Sequence, residues 1–191
     1  SVLPATQCSY VMGNPPFIGA KFMSDGQRAD VAAIFHDTKN AGLLDYVSCW
    51  YRKAADYMAD NPAIQAAFVS TNSITQGEQV GVLWPDLLKR GVHIRFAHRT
   101  FQWMSEAAGR AAVHCVIIGF GLQQAAHKTI FEYADIKGEP HAILASNINP
   151  YLVDAPDVVL VNRKTPLCNV PEIGIGNKPI DGGSYLFTPE E

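Results

Sequence analysis

The sequence predicts an α/β fold, namely the C-terminal half of a doubly wound sheet that ends in an antiparallel strand pair. Short apolar segments rich in β-branched residues alternate with segments whose apolar residues recur at helical spacing. The last two strands of this run follow each other without a helix between them, as in an antiparallel pair. With 191 residues, 48% of them hydrophobic, the chain is long enough to bury one good core.

The first predicted strand covers residues 7–12 and stops at a Gly-Asn-Pro-Pro turn at residues 13–16. A helix is predicted at residues 30–39. A second helix is predicted to start at Asp45, the candidate N-cap, and to end at Asn61-Pro62.

A second buried strand is predicted at residues 66–71, followed by a loop at 72–77 and a helix at 78–90 that contains Pro85. Residues 92–98 and 111–120 predict the antiparallel pair, with a polar connection at 99–110. Two short strands are expected at 128–133 and 141–145, in a tail that is otherwise irregular. We therefore expect a domain boundary that separates residues 1–122 from residues 123–191.

The segment Asn14-Pro15-Pro16-Phe17 carries the clearest chemistry, since it follows a strand at its carboxyl end, where open α/β sheets bind ligands. An exocyclic amine on an aromatic ring is a poor nucleophile because its lone pair is delocalised. The Asn14 side-chain oxygen and the Pro15 carbonyl can draw such an amine toward sp3 geometry. Pro16 stiffens the turn, and Phe17 offers a face on which an extruded base can stack. The bare tetrapeptide is equally compatible with a simple turn.

The motif resembles the signature of amino-group methyltransferases, and Asn with Phe is similar to the N6-adenine enzymes. Further blocks resemble the MmeI-like (type IIL) restriction-modification enzymes, whose motifs follow the gamma order: residues 45–54, 68–80, 111–120, 149–152, 166–171 and 176–183. The resemblance implies a Rossmann-like class I sheet, with the catalytic half of the methyltransferase domain at 1–122. It also implies a linker and the beginning of a target-recognition domain at 123–191.

The same resemblance implies S-adenosyl-L-methionine as cofactor, double-stranded DNA with a flipped adenine as substrate, and a bacterial cytoplasmic location. In the family, a glycine-rich donor loop and an acidic residue precede the catalytic motif, and neither is in this sequence. We therefore expect the SAM-binding half and most of the recognition domain to lie elsewhere in the same parent chain. The chain alone is expected to be inactive.

Weaker signals surround the motif. In related enzymes an aromatic residue at the place of Phe120 packs the second face of the base, although a core phenylalanine is the alternative and Phe101 and Trp103 compete for the role. Asn72 and Ser73 are candidate pocket residues, with strand-end capping as the alternative. Basic residues near the motif and the hairpin are either phosphate contacts or solvated surface charges: Lys21, Arg95, Arg99 and Arg110.

Composition excludes several classes. No apolar run approaches the roughly 18 residues of a membrane span, so no membrane association is expected. The four cysteines are widely spaced and predicted to be reduced, and the six histidines lack ligand spacing, so no metal is expected. A net charge of -3 is unfavourable for binding DNA, so most of the DNA-binding affinity is expected to come from other domains.

Two other functions remain open from the residues alone. RNA methyltransferases and protein-glutamine methyltransferases use the same tetrapeptide. Alternatively, the chain is a non-catalytic module that positions the recognition domain or binds other subunits. The tail blocks favour DNA over the first alternative, and the intact motif argues against the second.

Overall fold

The structure is a computed structural model that describes residues 3–103, 113–161, 163, 165 and 168–170. It divides into one unit at residues 1–161 and a second at residues 162–191. Arg110, the segment 176–183 and parts of the segment 166–171 lie outside the described residues.

One mixed sheet of six strands organises the first unit, in the order β1-β2-β4-β3-β5-β6. Its strands are β1 Tyr10–Gly13, β2 Gln65–Thr71, β3 His93–Trp103, β4 Val113–Gly121, β5 Lys128–Tyr133 and β6 Pro140–Ala145. β1 runs parallel to β2, whereas β4 is antiparallel to both of its neighbours. The predicted α/β class and the antiparallel pair β3–β4 are confirmed.

Three α-helices accompany the described part of the sheet: α1 Asp25–Ile34, α2 Ser48–Met58 and α3 Gly77–Lys89. α1 begins five residues before the prediction because Ser24 and Gln27 form a capping box, in which each side chain accepts the other's backbone N–H. α2 begins at Ser48 rather than beside Asp45, and no side chain caps it. The expectation that Asp45 caps this helix is therefore wrong.

The core lies between α2, α3 and the sheet. Tyr51 of α2 is fully buried, and its hydroxyl lies 2.8 Å from the Ser70 hydroxyl of β2. Trp84 of α3 is also fully buried and donates its indole N–H to the Ile74 carbonyl at 2.8 Å. Both aromatic residues thus bury their rings while their polar atoms keep a partner.

The compact unit extends past the boundary expected at residue 122. β5 pairs in parallel with β3, with Phe96 opposite Thr129 and His98 opposite Phe131. The chain that follows β6 then returns to α3, where the Leu160 carbonyl lies 3.5 Å from the position that a Cβ on Gly81 would occupy. Long-range pairing therefore joins residues 128–145 to the sheet, and the chain near Leu160 packs on α3.

A cluster of charges ties the three helical segments together around Arg52. This residue is only 3% exposed, and its guanidinium lies 2.9 Å from Asp86 and 3.1 Å from Asp37. Arg90 pairs with Asp86 and Asp56 in the same cluster. Because a buried guanidinium is costly without partners, the cluster holds α2 against α3 and against the end of α1.

The four cysteines are free thiols. Burial raises the pKa of the Cys49 and Cys115 thiols to about 11, so both remain protonated near neutral pH. Among the described residues, the helices are all too short or too polar to cross a bilayer.

We expect Arg52→Met to destabilise the chain by about 2–3 kcal/mol, because Asp86 would keep a largely buried carboxylate without its main partner. The measurement is the free energy of unfolding from urea titration. Lys53→Met, on the exposed side of the same helix, is the matched control and should stay within about 0.5 kcal/mol of the parent. Equal effects of the two substitutions would contradict the role given to Arg52.

Acid should weaken the fold through Asp37. Its hydrogen bond with Arg52 lowers the pKa of this carboxyl from 3.8 to about 2. Because the folded-state pKa is depressed, the stabilisation is complete above about pH 4 and disappears as the pH falls through about 2. Between these limits the urea midpoint should fall more steeply in the parent than in Asp37→Asn. Parallel pH profiles of the two proteins would count against the ion pair.

Candidate functional site

The segment Asn14–Phe17 begins directly after β1, at its carboxyl end. Since β1 and β2 are parallel, their carboxyl ends lie at the same end of the sheet. There the chain continues into a 3-10 turn at Asn72–Thr75. The topology therefore brings the motif and the predicted pocket residues to one end of the sheet.

Burial differs sharply along the motif. Pro15 is buried and Phe17 is half-buried against the core, whereas Asn14 and Pro16 are exposed. The two inner residues anchor the turn, and the Asn14 amide is left facing solvent. An exposed amide on an anchored turn is available to a polar group brought in from outside.

Asp45 joins the loop that follows the motif to the two segments opposite it. One of its carboxylate oxygens accepts the Ala20 N–H at 3.0 Å, and the other accepts the Ser73 hydroxyl at 2.7 Å. Its own N–H donates to the Gln79 side chain at 3.0 Å. The neighbouring Tyr46 N–H donates to the Ile18 carbonyl at 2.9 Å. These bonds fix the motif loop against the turn after β2 and against the start of α3.

A cavity of about 920 Å³ opens between these segments. Its lining comes from the motif loop, α1, the turn before α2, the turn after β2 and the start of α3, and it includes Gly19, Lys21, Phe22, Arg28, Leu43, Asp45, Asn72, Ser73 and Glu78. The four motif residues themselves are outside this lining, so the cavity lies beside the motif and not over it.

The two predicted pocket residues, Asn72 and Ser73, both line this cavity, but they form different hydrogen bonds. The Ser73 hydroxyl is bonded to Asp45 and lies 2.7 Å from the Thr71 hydroxyl, which gives it a structural task. The Asn72 backbone carbonyl accepts a hydrogen bond from the Thr75 hydroxyl at 2.8 Å. A direct contact of either residue with a base stays a prediction.

Phe120 lies in the core. It pairs with Ala66 of β2, which in turn pairs with Val11 of β1. Phe120 is therefore level with a residue two positions before the last residue of β1, away from the motif. Its ring is 0% exposed and stacks on Tyr51 at 5.2 Å. The geometry therefore supports the alternative of a core phenylalanine, because a ring stacked inside the core presents no face to an incoming base.

The reason for this placement is the direction of β4. An antiparallel strand ends at the opposite side of the sheet from its neighbours, so the start of β4 and not its end is level with the motif. Cys115 near that start is opposite both Thr71 of β2 and Phe101 of β3. Of the competing aromatics, Phe101 and Trp103 are thus at the motif side, although the Trp103 side chain lies outside the described residues.

Asp45 was missed as a site residue because the sequence suggested a helix cap for it. The signal that was available is its position at the head of the block at residues 45–54. Its use as a bridge depends on three segments that are remote in sequence, and only their packing reveals it. In the portion of the chain that the structure covers, no group of three or more His, Cys, Asp or Glu side chains could hold a metal ion.

Comparison with known proteins identifies the family of this chain. Residues 1–132 match the family model described as MmeI, DNA-methyltransferase domain. The chain belongs to this family. It is 43% identical over 183 residues to "DNA methyltransferase A" of Bacillus subtilis (strain 168). The aligned region covers 95% of this chain and 20% of that protein.

A solved structure extends the likeness to three dimensions. The Type IIL restriction-modification enzyme MmeI, in complex with DNA, aligns with a TM-score of 0.89 and 55% sequence identity, over 98% of this chain and 25% of that chain. The family resemblance and the α/β fold predicted from the sequence are confirmed. This chain spans about a fifth of the Bacillus relative and a quarter of the MmeI chain.

We expect Asp45→Asn to loosen the motif loop. The Asp45 carboxylate offers one charged oxygen to the Ala20 N–H and the other to the Ser73 hydroxyl, whereas an asparagine amide has a single, uncharged acceptor oxygen. Losing one charge-assisted hydrogen bond costs about 1.5 kcal/mol, so exchange of the Ala20 amide should quicken by about tenfold. Hydrogen-exchange mass spectrometry of the loop measures this. Asp60→Asn, at an exposed position after α2, is the control, and equal exchange in both variants would refute the bridge.

Proposed function

We propose that this chain is the target-base side of a SAM-dependent DNA methyltransferase, which methylates the N6 amino group of a flipped adenine within a bacterial restriction-modification system. The observation that carries the proposal is the exposed Asn14 amide on a turn anchored by Pro15, at the sheet end where α/β folds bind ligands. Membership of the MmeI DNA-methyltransferase domain family supports DNA as the substrate.

The chemistry of the turn fits an adenine amine. The N6 group has two hydrogens to donate, and the Asn14 side-chain oxygen and the Pro15 carbonyl are two acceptors on adjacent residues. When the amine donates to both, its lone pair is freed from the ring and can attack an electrophile. Orientation of this kind is a large part of the catalysis when the electrophile is already reactive.

Phe17 supports the base itself. Its ring is half-buried against the core, which restrains its orientation while one part remains accessible. A flipped base needs such a surface because it loses the stacking it had in the duplex. Stacking on an aromatic side chain returns about 1–3 kcal/mol per base.

S-adenosyl-L-methionine supplies a methyl group activated as a sulfonium. The sequence given has no glycine-rich G-x-G-x-x-G turn before the motif, where the resemblance places the donor loop. The Asp45 carboxylate beside the motif is already bonded to Ala20 and Ser73. We therefore assign the residues of this chain to the base and to the DNA.

The alternatives are distinguishable by product. An RNA or protein-glutamine methyltransferase would place the methyl group on RNA or on a glutamine side chain, and a non-catalytic module would yield none. The role of residues 123–191 as a linker and the beginning of a target-recognition domain remains part of the proposal.

Asn14→Ala in the full-length protein that carries this chain should reduce methylation of plasmid DNA by about 100-fold or more, the scale seen when one group that stabilises the reacting centre is removed. Mass spectrometry of digested nucleosides measures N6-methyladenine directly. Asn40→Gly is a suitable control, since Asn40 has a positive φ of 61° that glycine also adopts, remote from the motif in sequence. Undiminished N6-methyladenine from Asn14→Ala would remove the basis for its role.

Phe17→Ala and Phe17→Tyr separate stacking from folding. The alanine variant loses the ring face, so its KM for DNA should rise by about 5- to 150-fold, the equivalent of 1–3 kcal/mol. The tyrosine variant keeps the face and should remain within a few-fold of the parent. If both variants lose activity equally, the ring acts through packing and not through the base.

A further inference from the structure

Phe22 is a large apolar side chain that the fold leaves in water. It ends the 3-10 turn Ala20–Phe22, which is closed by a 2.8 Å hydrogen bond from its N–H to the Gly19 carbonyl. The ring is 85% exposed, and its Cδ2 atom lies 3.5 Å from the position that a Cβ on Gly19 would occupy. The ring thus rests on the backbone of its own turn and presents its outer side to whatever approaches the cavity.

Two cations line the same cavity as this ring. Lys21 precedes it on the turn and is exposed. Arg28 reaches over from α1, and its Nη2 donates to the Lys21 carbonyl at 3.4 Å, which places the guanidinium beside the same turn. In a chain whose net charge is -3, two cations grouped around an exposed aromatic ring form a distinct local surface. We call Lys21, Phe22 and Arg28 the strand-binding wall.

Two carboxylates, those of Asp45 and Glu78, also line the cavity. The Asp45 carboxylate is directed at the Ala20 N–H and the Ser73 hydroxyl, and its charge is partly offset by those donors. Glu78 lies in the first turn of α3. Lys21 and Arg28 are the cations in the lining, and they attract an incoming phosphate.

We infer that the strand-binding wall holds the DNA strand that carries the target adenine, with Lys21 and Arg28 on its phosphates and Phe22 against a base or sugar next to the flipped one. This rests on the proposed function. A strand from which a base is extruded exposes unstacked neighbours and a distorted backbone, and cations interleaved with an aromatic ring are the arrangement that binds such strands. The wall follows the catalytic turn by four residues, so one loop would set the base and its flanking phosphates together.

The other occupant that fits an exposed phenylalanine is a further segment of the same protein. Such a segment would cover Phe22 and the half-exposed Leu43 by apolar packing and would not need the two cations. The two occupants differ in their response to salt, because only phosphate contacts release counterions when they form.

The test uses the full-length protein and a fluorescent DNA duplex, whose sequence need not be a methylated site because phosphate contacts are independent of sequence. Its Kd is measured by anisotropy at salt concentrations between about 50 and 200 mM. The double variant Lys21→Gln and Arg28→Gln should weaken binding to all sequences alike. The slope of log K against log salt should become shallower by about 0.9 for each lost contact, or about 1.8 for both.

Lys89→Gln is the control for the loss of a positive charge elsewhere, because it removes one cation at the other end of α3, about 18 Å along the helix from Gly77. Its salt slope should equal that of the parent. Phe22→Ala should raise the Kd by about 5- to 150-fold with an unchanged salt slope, and Phe22→Tyr should bind as the parent does.

A double variant whose Kd and salt slope match those of the Lys89→Gln control would overturn the inference. A Phe22→Ala protein that melts at a lower temperature but binds DNA normally would overturn the role of the ring and favour packing against another segment. Asn14→Ala keeps the failure of the proposed function apart: it should bind DNA with the parental salt slope and yet form no N6-methyladenine. If the parent itself forms none, the proposed function fails while the salt slopes still decide whether the wall binds DNA.

Discussion

The parallel pairing of β1 with β2 is the constraint on which the site depends. Four residue pairs, from Tyr10 with Gln65 to Gly13 with Phe68, hold a four-residue strand at the edge of the sheet. This short ladder sends both strands toward the same side, and it leaves Asn14 exposed while Pro15 turns inward. A shift of one residue in this register would exchange the inner and outer faces of β1 and remove the motif from its place.

Around this constraint, the fold solves a second problem, which is how to hold a long loop after the motif. Residues 14–24 have no regular structure except one 3-10 turn, and backbone without a ladder needs other partners. Asp45 and Tyr46 supply them from the turn before α2, and Ser73 and Gln79 complete the connection to the segments after β2. The ion cluster around Arg52 then fixes α2 and α3 against each other. The polar contacts of the loop thus rest on helices whose relative position is itself secured by charge.

Local signals in the sequence were sufficient for most elements and for the location of the motif. Strand and helix periodicity, together with the proline turn, predicted β1, β2, α3 and the β3–β4 pair, because each depends on neighbouring residues. The start of α1 also has a local signal, the Ser-x-x-Gln capping box at residues 24–27. The apolar residues that predicted the helix occur later, so the predicted start is residue 30. What depends on long-range pairing was not predictable in this way. The attachment of β5 and β6 to the sheet, the bridge made by Asp45 and the burial of Phe120 all follow from which strands meet and in which direction.

The central claim is that Asn14 and Pro15 receive the amine of a flipped adenine. The most direct measurement is a structure of the full-length protein bound to the DNA site that it methylates, with a donor analogue. With the target adenine unmethylated, it should show adenine N6 at about 2.7–3.2 Å from both the Asn14 side-chain oxygen and the Pro15 carbonyl, with the ring on Phe17. An adenine that stays in the duplex, or whose amine is bonded elsewhere while these acceptors face solvent, would contradict the account.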